Sequence, residues 1–194
     1  MTEAKRHLRT EVRARLSTLP DPVRQRASAA VRTRLLASET FLRGGPLLGF
    51  VALPDEIDVL PALQIAATSG REVLLPRWNP KSQDYEPAVA PVAERLRPGP
   101  FGVLEPPPDA PVRWIDRLDL ILVPGVAFDR TGRRLGRGKG FFDRLLARAT
   151  GARRWGIAFD QQIVDEVPTA AHDVNVHLLV TPELWLPLID CGKS

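Results

Sequence analysis

The sequence predicts an α/β fold built on a mostly parallel sheet. Short apolar runs rich in β-forming residues alternate along the chain with segments of helical periodicity. These runs are predominantly apolar, whereas a strand with one solvated face would alternate apolar and polar residues. Strands that are apolar on both faces are typical of a parallel sheet covered by helices on both sides. We therefore expect a Rossmann-like sheet flanked by helices and preceded by N-terminal helices.

Each predicted element ends at a proline or glycine signal. Apolar residues at helical spacing predict helices at 2–19, 22–37, 59–68 and 141–149. Apolar runs predict strands at 47–53, 72–75, 118–123, 155–159 and 176–180. Between them, a short hairpin is compatible with 85–89, and 98–108 is expected to be irregular because five of its eleven residues are proline.

In the first helix the apolar face is defined by Leu8, Val12 and Leu16, which recur every four residues. Lys5 and Arg9 share another face of the same helix. Like charges four residues apart are mildly destabilising. This pair is therefore either a solvated basic face or the partner of an anionic ligand.

Length and composition indicate one globular domain spanning 1–194, long enough to bury a sizeable core. The apolar runs are far shorter than the roughly 20 residues that span a bilayer. The charged N-terminus lacks the pattern of a secretory signal. One cysteine, Cys191, suits a reducing compartment. We expect a cytoplasmic monomer without a membrane partner.

A net charge of +4 is compatible with nucleic acid or with a small polyanionic ligand. Nucleic-acid surfaces usually interleave aromatic residues with basic ones. Here the basic residues concentrate in the first helix and in a glycine-rich segment, so nucleic acid is the less favoured partner.

That glycine-rich segment, 132–140, lies between the strand at 118–123 and the helix at 141–149. Glycines allow the backbone to approach a ligand closely, and a helix N-terminus offers unpaired N–H groups and a positive dipole end. With several cations added, the pattern indicates a polyphosphate site. Its glycines and cations are Gly132, Gly136, Gly138, Gly140, Arg133, Arg134, Arg137 and Lys139.

Polar residues that follow other predicted strands are expected at the same edge of the sheet, because ligands of parallel sheets bind at the carboxyl ends of strands. These residues are Glu56, Arg77, Asp160 and Gln161.

The common phosphate-binding motifs do not fit this segment. A Walker A loop requires Ser or Thr after its Gly-Lys pair, but Gly138-Lys139 is followed by Gly140. The dinucleotide fingerprint G-x-G-x-x-G also fails, because the spacing here is G-x-G-x-G.

Another pattern does fit. Residues 124–132 match P-G-x-x-F-D-x-x-G, and residues 134–143 match R-L-G-x-G-x-G-[YF]-[YF]-D. This order resembles the signature of the 5-formyltetrahydrofolate cyclo-ligases, also called methenyltetrahydrofolate synthetases. Further family motifs occur in the right order along nearly the whole chain: K-x-x-x-R at Lys5 and Arg9, D-E at Asp55-Glu56, L-P-R at 75–77, G-x-F-G-[IV]-x-E-P at 99–106, A-F-x-x-Q at 158–162, H-D at His172-Asp173 and V-T-x-E at 180–183.

The resemblance implies that ATP and Mg²⁺ are used to close 5-formyltetrahydrofolate, with or without a polyglutamate tail, into 5,10-methenyltetrahydrofolate, with release of ADP and phosphate. It implies catalytic roles for Arg134 and Lys139 and Mg²⁺ ligation by Asp143 and Asp173. It implies that ATP is bound by Lys5, Arg9, Arg134, Leu135, Gly136, Arg137, Gly138, Lys139 and Gly140.

On the folate side, the resemblance points to Glu56 as the residue that binds the pteridine ring. Phe101, Tyr85 and Phe142 are further candidates for contact with the folate. The chain departs from the commoner Tyr-Tyr pair at Phe141-Phe142, which offer no hydroxyl.

Two alternatives remain open from the residues. One is a non-catalytic relative that binds a nucleotide or RNA. The other, a sugar-phosphate isomerase or acyl-CoA transferase of similar architecture, rests on fold analogy alone.

Overall fold

The computed structural model describes residues 2–90, 95–170 and 173–188. Cys191 and His172 lie outside these ranges. None of the helices in the described ranges is long and apolar enough to cross a membrane. The helices are α1 (Glu3–Ser17), α2 (Asp21–Leu36), α3 (Glu39–Leu42), α4 (Leu60–Thr68) and α5 (Phe141–Arg148), with short 3₁₀ turns at Ile115–Arg117 and Asp160–Gln162.

The strands form one large sheet and two small ones. The large sheet has the order β12-β11-β9-β6-β1-β2-β3. Its five inner strands pair in parallel, and the two edge strands, β12 and β3, are antiparallel to their neighbours. The mostly parallel prediction is confirmed. The strands are β1 (Leu47–Leu48), β2 (Val73–Asn79), β3 (Asp84–Val89), β4 (Arg97–Pro98), β5 (Leu104–Glu105), β6 (Leu120–Pro124), β7 (Ala127–Asp129), β8 (Arg134–Leu135), β9 (Arg153–Ile157), β10 (Ile163–Val164), β11 (Leu178–Val180) and β12 (Trp185–Pro187).

Both faces of the sheet are buried, which explains the continuous apolar runs. Along β6, Leu120 and Leu122 pack on one face with residues of α1, α2 and α4. Ile121 and Val123 point to the opposite face, where they pack with residues of α5. Because successive side chains alternate across a strand, each inner strand contributes to both layers of the core.

The second strand and its surroundings differ from the prediction. β2 continues through Pro76 to Asn79 and forms a hairpin with the whole of β3. The expectation that 98–108 is irregular is wrong in part, because β4 and β5 form a small hairpin. Proline lacks an amide N–H, but none is needed from it to close this hairpin loop. The closing hydrogen bond is donated by the amide of the next residue, Gly99, to the Val103 carbonyl, at 2.8 Å.

A three-stranded sheet, β10-β7-β8, supports the glycine-rich loop, which we define as residues 136–140. The turn between β7 and β8 is organised by Asp129, which is 1% exposed. Its carboxylate accepts hydrogen bonds from the amides of Thr131, Arg133 and Val167 at 2.9–3.1 Å. The Asp129 carboxylate therefore holds the strand pair that leads into the loop.

We expect Asp129→Ala to lower the free energy of unfolding by about 2–4 kcal/mol, because several buried donors lose their acceptor together. Urea denaturation measures this change. The matched control is Asp116→Ala, an exposed aspartate, which should leave the unfolding free energy within about 0.5 kcal/mol of wild type. A loss below about 1 kcal/mol for Asp129→Ala would contradict the assigned role.

Candidate functional site

A cavity of about 350 Å³ opens at the carboxyl ends of the inner strands. Phe50 and Pro76 line it from just after β1 and within β2, and Pro124 lines it from the end of β6. Residues of the glycine-rich loop and of the first turn of α5 complete the wall. The cavity thus occupies the place where parallel sheets bind ligands.

The glycine-rich loop enters α5 through backbone conformations that favour glycine. Gly138 and Gly140 have φ angles of +103° and +69°, in the region that side chains with a Cβ rarely adopt. Gly140 occupies the N-cap position of α5, and no side chain caps the helix. The first amides of α5 are therefore left to a ligand or solvent at the cavity edge.

Carboxylates compensate the cations of this region. Arg134 is only 4% exposed and pairs with Asp143 in the first turn of α5. Arg137 pairs with both Asp55 and Glu56. From sequence alone, the clustered cations suggested an anionic ligand. Because carboxylates of the protein already pair with Arg134 and Arg137, these two cations do not by themselves require a ligand.

Arg133, also a cation of this segment, does not line the cavity. It pairs with Glu166 at 2.8 Å. Lys139 behaves differently, since it has no acid within 4 Å among the described residues. Its ammonium lies 3.9 Å from the centre of the Phe101 ring, a cation–π contact.

Helix α1 brings Lys5 and Arg9 close to the glycine-rich loop, although neither they nor Asp173 are among the residues that line the cavity. The Lys5 ammonium pairs with Asp173, and Arg9 Nε donates to the Gly136 carbonyl at 2.8 Å. Burial, followed by the charge of Arg13, lowers the pKa of Arg9, whereas Asp143 and Asp173 act in the opposite direction. Both carboxylates are therefore close enough to Arg9 to act on its charge.

Glu56 is nearly enclosed, with 8% of its side chain exposed. One oxygen accepts from Arg137 Nε at 2.9 Å and the other from the Leu53 amide at 3.0 Å. Burial raises the pKa of this carboxyl, and the positive charge of Arg137 offsets part of the rise. The structure thus holds an acceptor at the cavity wall beside the cations of the loop.

An aromatic cluster forms another wall. Tyr85 and Phe101 meet Phe141 at ring-centre distances of 5.3 and 5.1 Å. Trp78 packs against these rings, at 5.0 Å from Phe101 and 5.2 Å from Phe141, but is not itself among the residues that line the cavity. Burial and the neighbouring Glu105 carboxylate raise the pKa of Tyr85. A planar ring system would find stacking surfaces here.

Sequence reasoning missed Trp78. The available signal was the pleat of β2: residues two apart share a face, and Trp78 follows Pro76, which lines the cavity. The predicted strand ended at 75 because of Pro76, so this alternation was not extended to residue 78.

Several predicted residues are placed differently from expectation. Leu135 points its side chain into the core, at 1% exposure, so only its backbone faces the loop. Phe142 lines the cavity but packs against both core layers. Arg77 pairs with Glu86 at 2.6 Å and does not line the cavity.

The predicted convergence of Asp160 and Gln161 on the site is also wrong, because neither lines the cavity. Asp160 accepts a hydrogen bond from the Thr181 hydroxyl, and Gln161 is exposed. The next residue, Gln162, is buried and donates to the Gly125 and Val126 carbonyls at 2.7 and 3.1 Å. It thereby braces the turn after β6.

Comparison with known proteins agrees with this geometry. The profile of the 5-formyltetrahydrofolate cyclo-ligase family matches residues 1–182. A 5-formyltetrahydrofolate cyclo-ligase from Mycolicibacterium smegmatis is 32% identical, over 93% of this chain and 94% of the relative. One from Escherichia coli K12 is 29% identical, over 90% of this chain and 98% of the relative.

Among solved structures, the NMR structure of Aquifex aeolicus 5,10-methenyltetrahydrofolate synthetase superposes with a TM-score of 0.85 and 31% identity, covering 98% of this chain and 95% of that one. The family profile and the similarity to relatives both extend over nearly the whole chain. The chain belongs to the 5-formyltetrahydrofolate cyclo-ligase family.

Proposed function

We propose that this chain catalyses the ATP-dependent closure of 5-formyltetrahydrofolate to 5,10-methenyltetrahydrofolate, releasing ADP and phosphate. Family membership supports the reaction. The observation that carries it is the meeting, in one cavity, of a cationic glycine-rich loop, a buried carboxylate and an aromatic wall. These are the groups that a polyphosphate and a pteridine would require side by side.

The reaction must overcome the low reactivity of a formamide. In the proposed sequence, the formyl oxygen attacks the γ-phosphorus, and the bond to the β,γ-bridging oxygen breaks, leaving its electron pair on ADP. N10 then attacks the activated formyl carbon. The carbon–oxygen bond breaks as phosphate leaves, and the N10 proton passes to phosphate or solvent. The product is the cyclic amidinium, methenyltetrahydrofolate.

Phosphoryl transfer mainly requires positioning and positive charge around the phosphoryl oxygens. We assign this role to Lys139 and Arg134, with the backbone of 136–140 cradling the phosphates. Lys139, at the cavity wall without a carboxylate partner in the described part of the chain, can turn to an anion without breaking an ion pair. Lys5 and Arg9 would contact ATP from α1.

The residues present fit the Mg²⁺ that the family implies. Mg²⁺ is usually held by one or two carboxylates together with substrate phosphates and waters. Asp143 and Asp173 supply two carboxylates near Arg9, whereas the described residues contain no cluster of three or more His, Cys, Asp or Glu side chains able to hold a metal without substrate. Bound there with ATP, Mg²⁺ would neutralise phosphate charge.

On the folate side we assign Glu56 to the pteridine ring, whose N–H groups would donate to the carboxylate. Phe101 and Tyr85 would stack with or flank the ring, and Trp78, which packs against both, would support them. Phe141 and Phe142 bring no hydroxyl, so any polar contact at this wall must come from another residue.

We further propose that the protein acts as a cytoplasmic monomer and accepts polyglutamylated folate.

The decisive experiment is a spectrophotometric assay with purified protein, Mg²⁺, ATP and 5-formyltetrahydrofolate. The expected result is a rise in methenyl-folate absorbance that requires all three. Absence of product would overturn the proposed reaction. RNA binding without turnover, with an affinity that falls steeply with salt, would favour the non-catalytic alternative.

Lys139→Ala should lower kcat/KM for ATP by about 100-fold or more, because the positive charge that stabilises the transferred phosphoryl group is lost. The fold should persist, since Lys139 is exposed. Steady-state kinetics measure the change. Lys81→Ala, which removes an exposed lysine between β2 and β3, is the matched control and should match wild type. Equal kinetics for the two variants would refute the phosphate assignment.

Asp173→Asn should raise the Mg²⁺ concentration needed for half-maximal turnover by about tenfold or more, because an amide is a weaker ligand than a carboxylate. Magnesium titrations of activity measure this effect, and calorimetry of Mg·ATP binding supplies a second readout. Asp165→Asn, at an exposed aspartate, serves as the control. An unchanged Mg²⁺ requirement in Asp173→Asn would argue against metal ligation.

Glu56 predicts a pH dependence of stability. Burial raises its pKa above the ordinary 4.5, so the folded protein binds this proton more tightly than the unfolded chain does. The resulting stability is present in acid and is lost as pH rises from 4.5 through the raised pKa.

The free energy of unfolding of wild type minus that of Glu56→Gln should therefore fall with rising pH in this window, by at most about 1.4 kcal/mol per pH unit. Urea denaturation across the window measures it. A difference that stays flat or grows with pH would contradict the prediction.

A further inference from the structure

A row of cations runs along one face of α1. Lys5, Arg9 and Arg13 are spaced four residues apart, which aligns them along the helix with about 6 Å between successive members. Lys5 pairs with Asp173, and Arg9 donates to the Gly136 carbonyl. Arg13 lines the cavity. The face that carries this row is therefore turned toward the site.

Two other arginines of α1, on its solvated face, pair with acids of the same helix. Arg6 lies 3.7 Å from Glu3, and Arg15 pairs with Glu11. Arg13, in contrast, has no acid within 4 Å in the described part of the chain. Its neighbours four residues away are Arg9 and Ser17. The helix supplies acids to its outward arginines and none to Arg13.

Arg9 and Arg13 are close enough to oppose each other. The charge of Arg13 is the second cause, after burial, that lowers the pKa of Arg9. An anionic group between two such guanidinium groups would remove this repulsion. Asp143 and Asp173 act on Arg9 in the opposite direction, whereas Arg13 has no acid within 4 Å in the described part of the chain, so an added anion would be attracted most to the Arg13 end of the row.

The position of Arg13 in the cavity indicates which anionic group would lie beside it. The row begins at the Lys5–Asp173 pair, which we assigned to the nucleotide under the proposed function. It ends at Arg13, which shares the cavity wall with Leu53 and Glu56 on the folate side and with Lys139 on the loop. A group passing from nucleotide to folate must cross the space between these walls.

We propose that Arg13 contacts the γ-phosphoryl group while it passes from ATP to the formyl oxygen. In this step the formyl oxygen–phosphorus bond forms and the bond to the β,γ-bridging oxygen breaks, with its electron pair leaving on ADP. Charge spreads over the three equatorial oxygens, and the guanidinium fork of Arg13 donates to two of them. The inference rests on the proposed cyclisation.

The test is single-turnover cyclisation, with enzyme in excess and ATP saturating, followed by methenyl-folate absorbance. Arg13→Ala should slow this step by about 10- to 100-fold, less than the 10³–10⁵ of a fully enclosed arginine finger, because Arg13 is exposed. Arg13→Lys should recover part of the rate, since it keeps the charge without the fork. Arg15→Ala, on the solvated face of α1, is the matched control and should react like wild type.

A wild-type single-turnover rate in Arg13→Ala would overturn the proposal. Steady-state kinetics could also overturn it. A change confined to the KM for 5-formyltetrahydrofolate would place Arg13 on the glutamate tail, and a change confined to the KM for ATP would limit Arg13 to nucleotide binding. Urea denaturation of each variant separates a slow step from a folding defect. Absence of product with wild type would overturn the cyclisation itself and this inference with it, whereas normal turnover in both proteins would overturn the Arg13 role alone.

Discussion

Charge compensation is the constraint on which the site depends. The glycine-rich segment gathers cations beside apolar strand ends, where unpaired charge is costly. The chain meets this cost with carboxylates from other elements: Asp143 for Arg134, and Asp173 for Lys5. One pair joins β8 to α5, and the other joins α1 to the segment that precedes β11. A substrate phosphate would compete with these carboxylates for the cations, so the site has substitute partners in place before any ligand arrives.

Much of the fold followed from local patterns. The continuously apolar run at 120–123 required burial on both faces, and β6 is indeed covered on both. Lys5 and Arg9 were placed on a separate helical face, and that face meets the glycine-rich loop. The order of motifs identified the family that the whole-chain comparisons then supported. Periodicity and the individual motifs were sufficient because each is encoded within a few consecutive residues.

The remaining features depend on contacts distant in sequence. Pro76 indicated the end of a strand, yet it is paired with Pro87 across the hairpin. Because the predicted strand stopped there, Trp78, which packs against the aromatic wall, was missed. Arg77 follows a predicted strand and was therefore expected at the site, but it pairs with Glu86, which lies opposite it on β3. Neither pairing can be read from one strand alone. Likewise, Arg13 resembles any helical surface arginine until the cavity beside it is known.

The ion pair between Lys5 and Asp173 joins residues 168 positions apart. During biosynthesis the first helix leaves the ribosome long before Asp173 is made, so Lys5 must wait for almost the entire chain before it gains this partner. The ion pair that anchors the first turn of α1 is therefore among the last parts of the fold to be completed. A prematurely terminated chain would carry the aromatic cluster and the glycine-rich loop, yet would lack the carboxylate that pairs with Lys5.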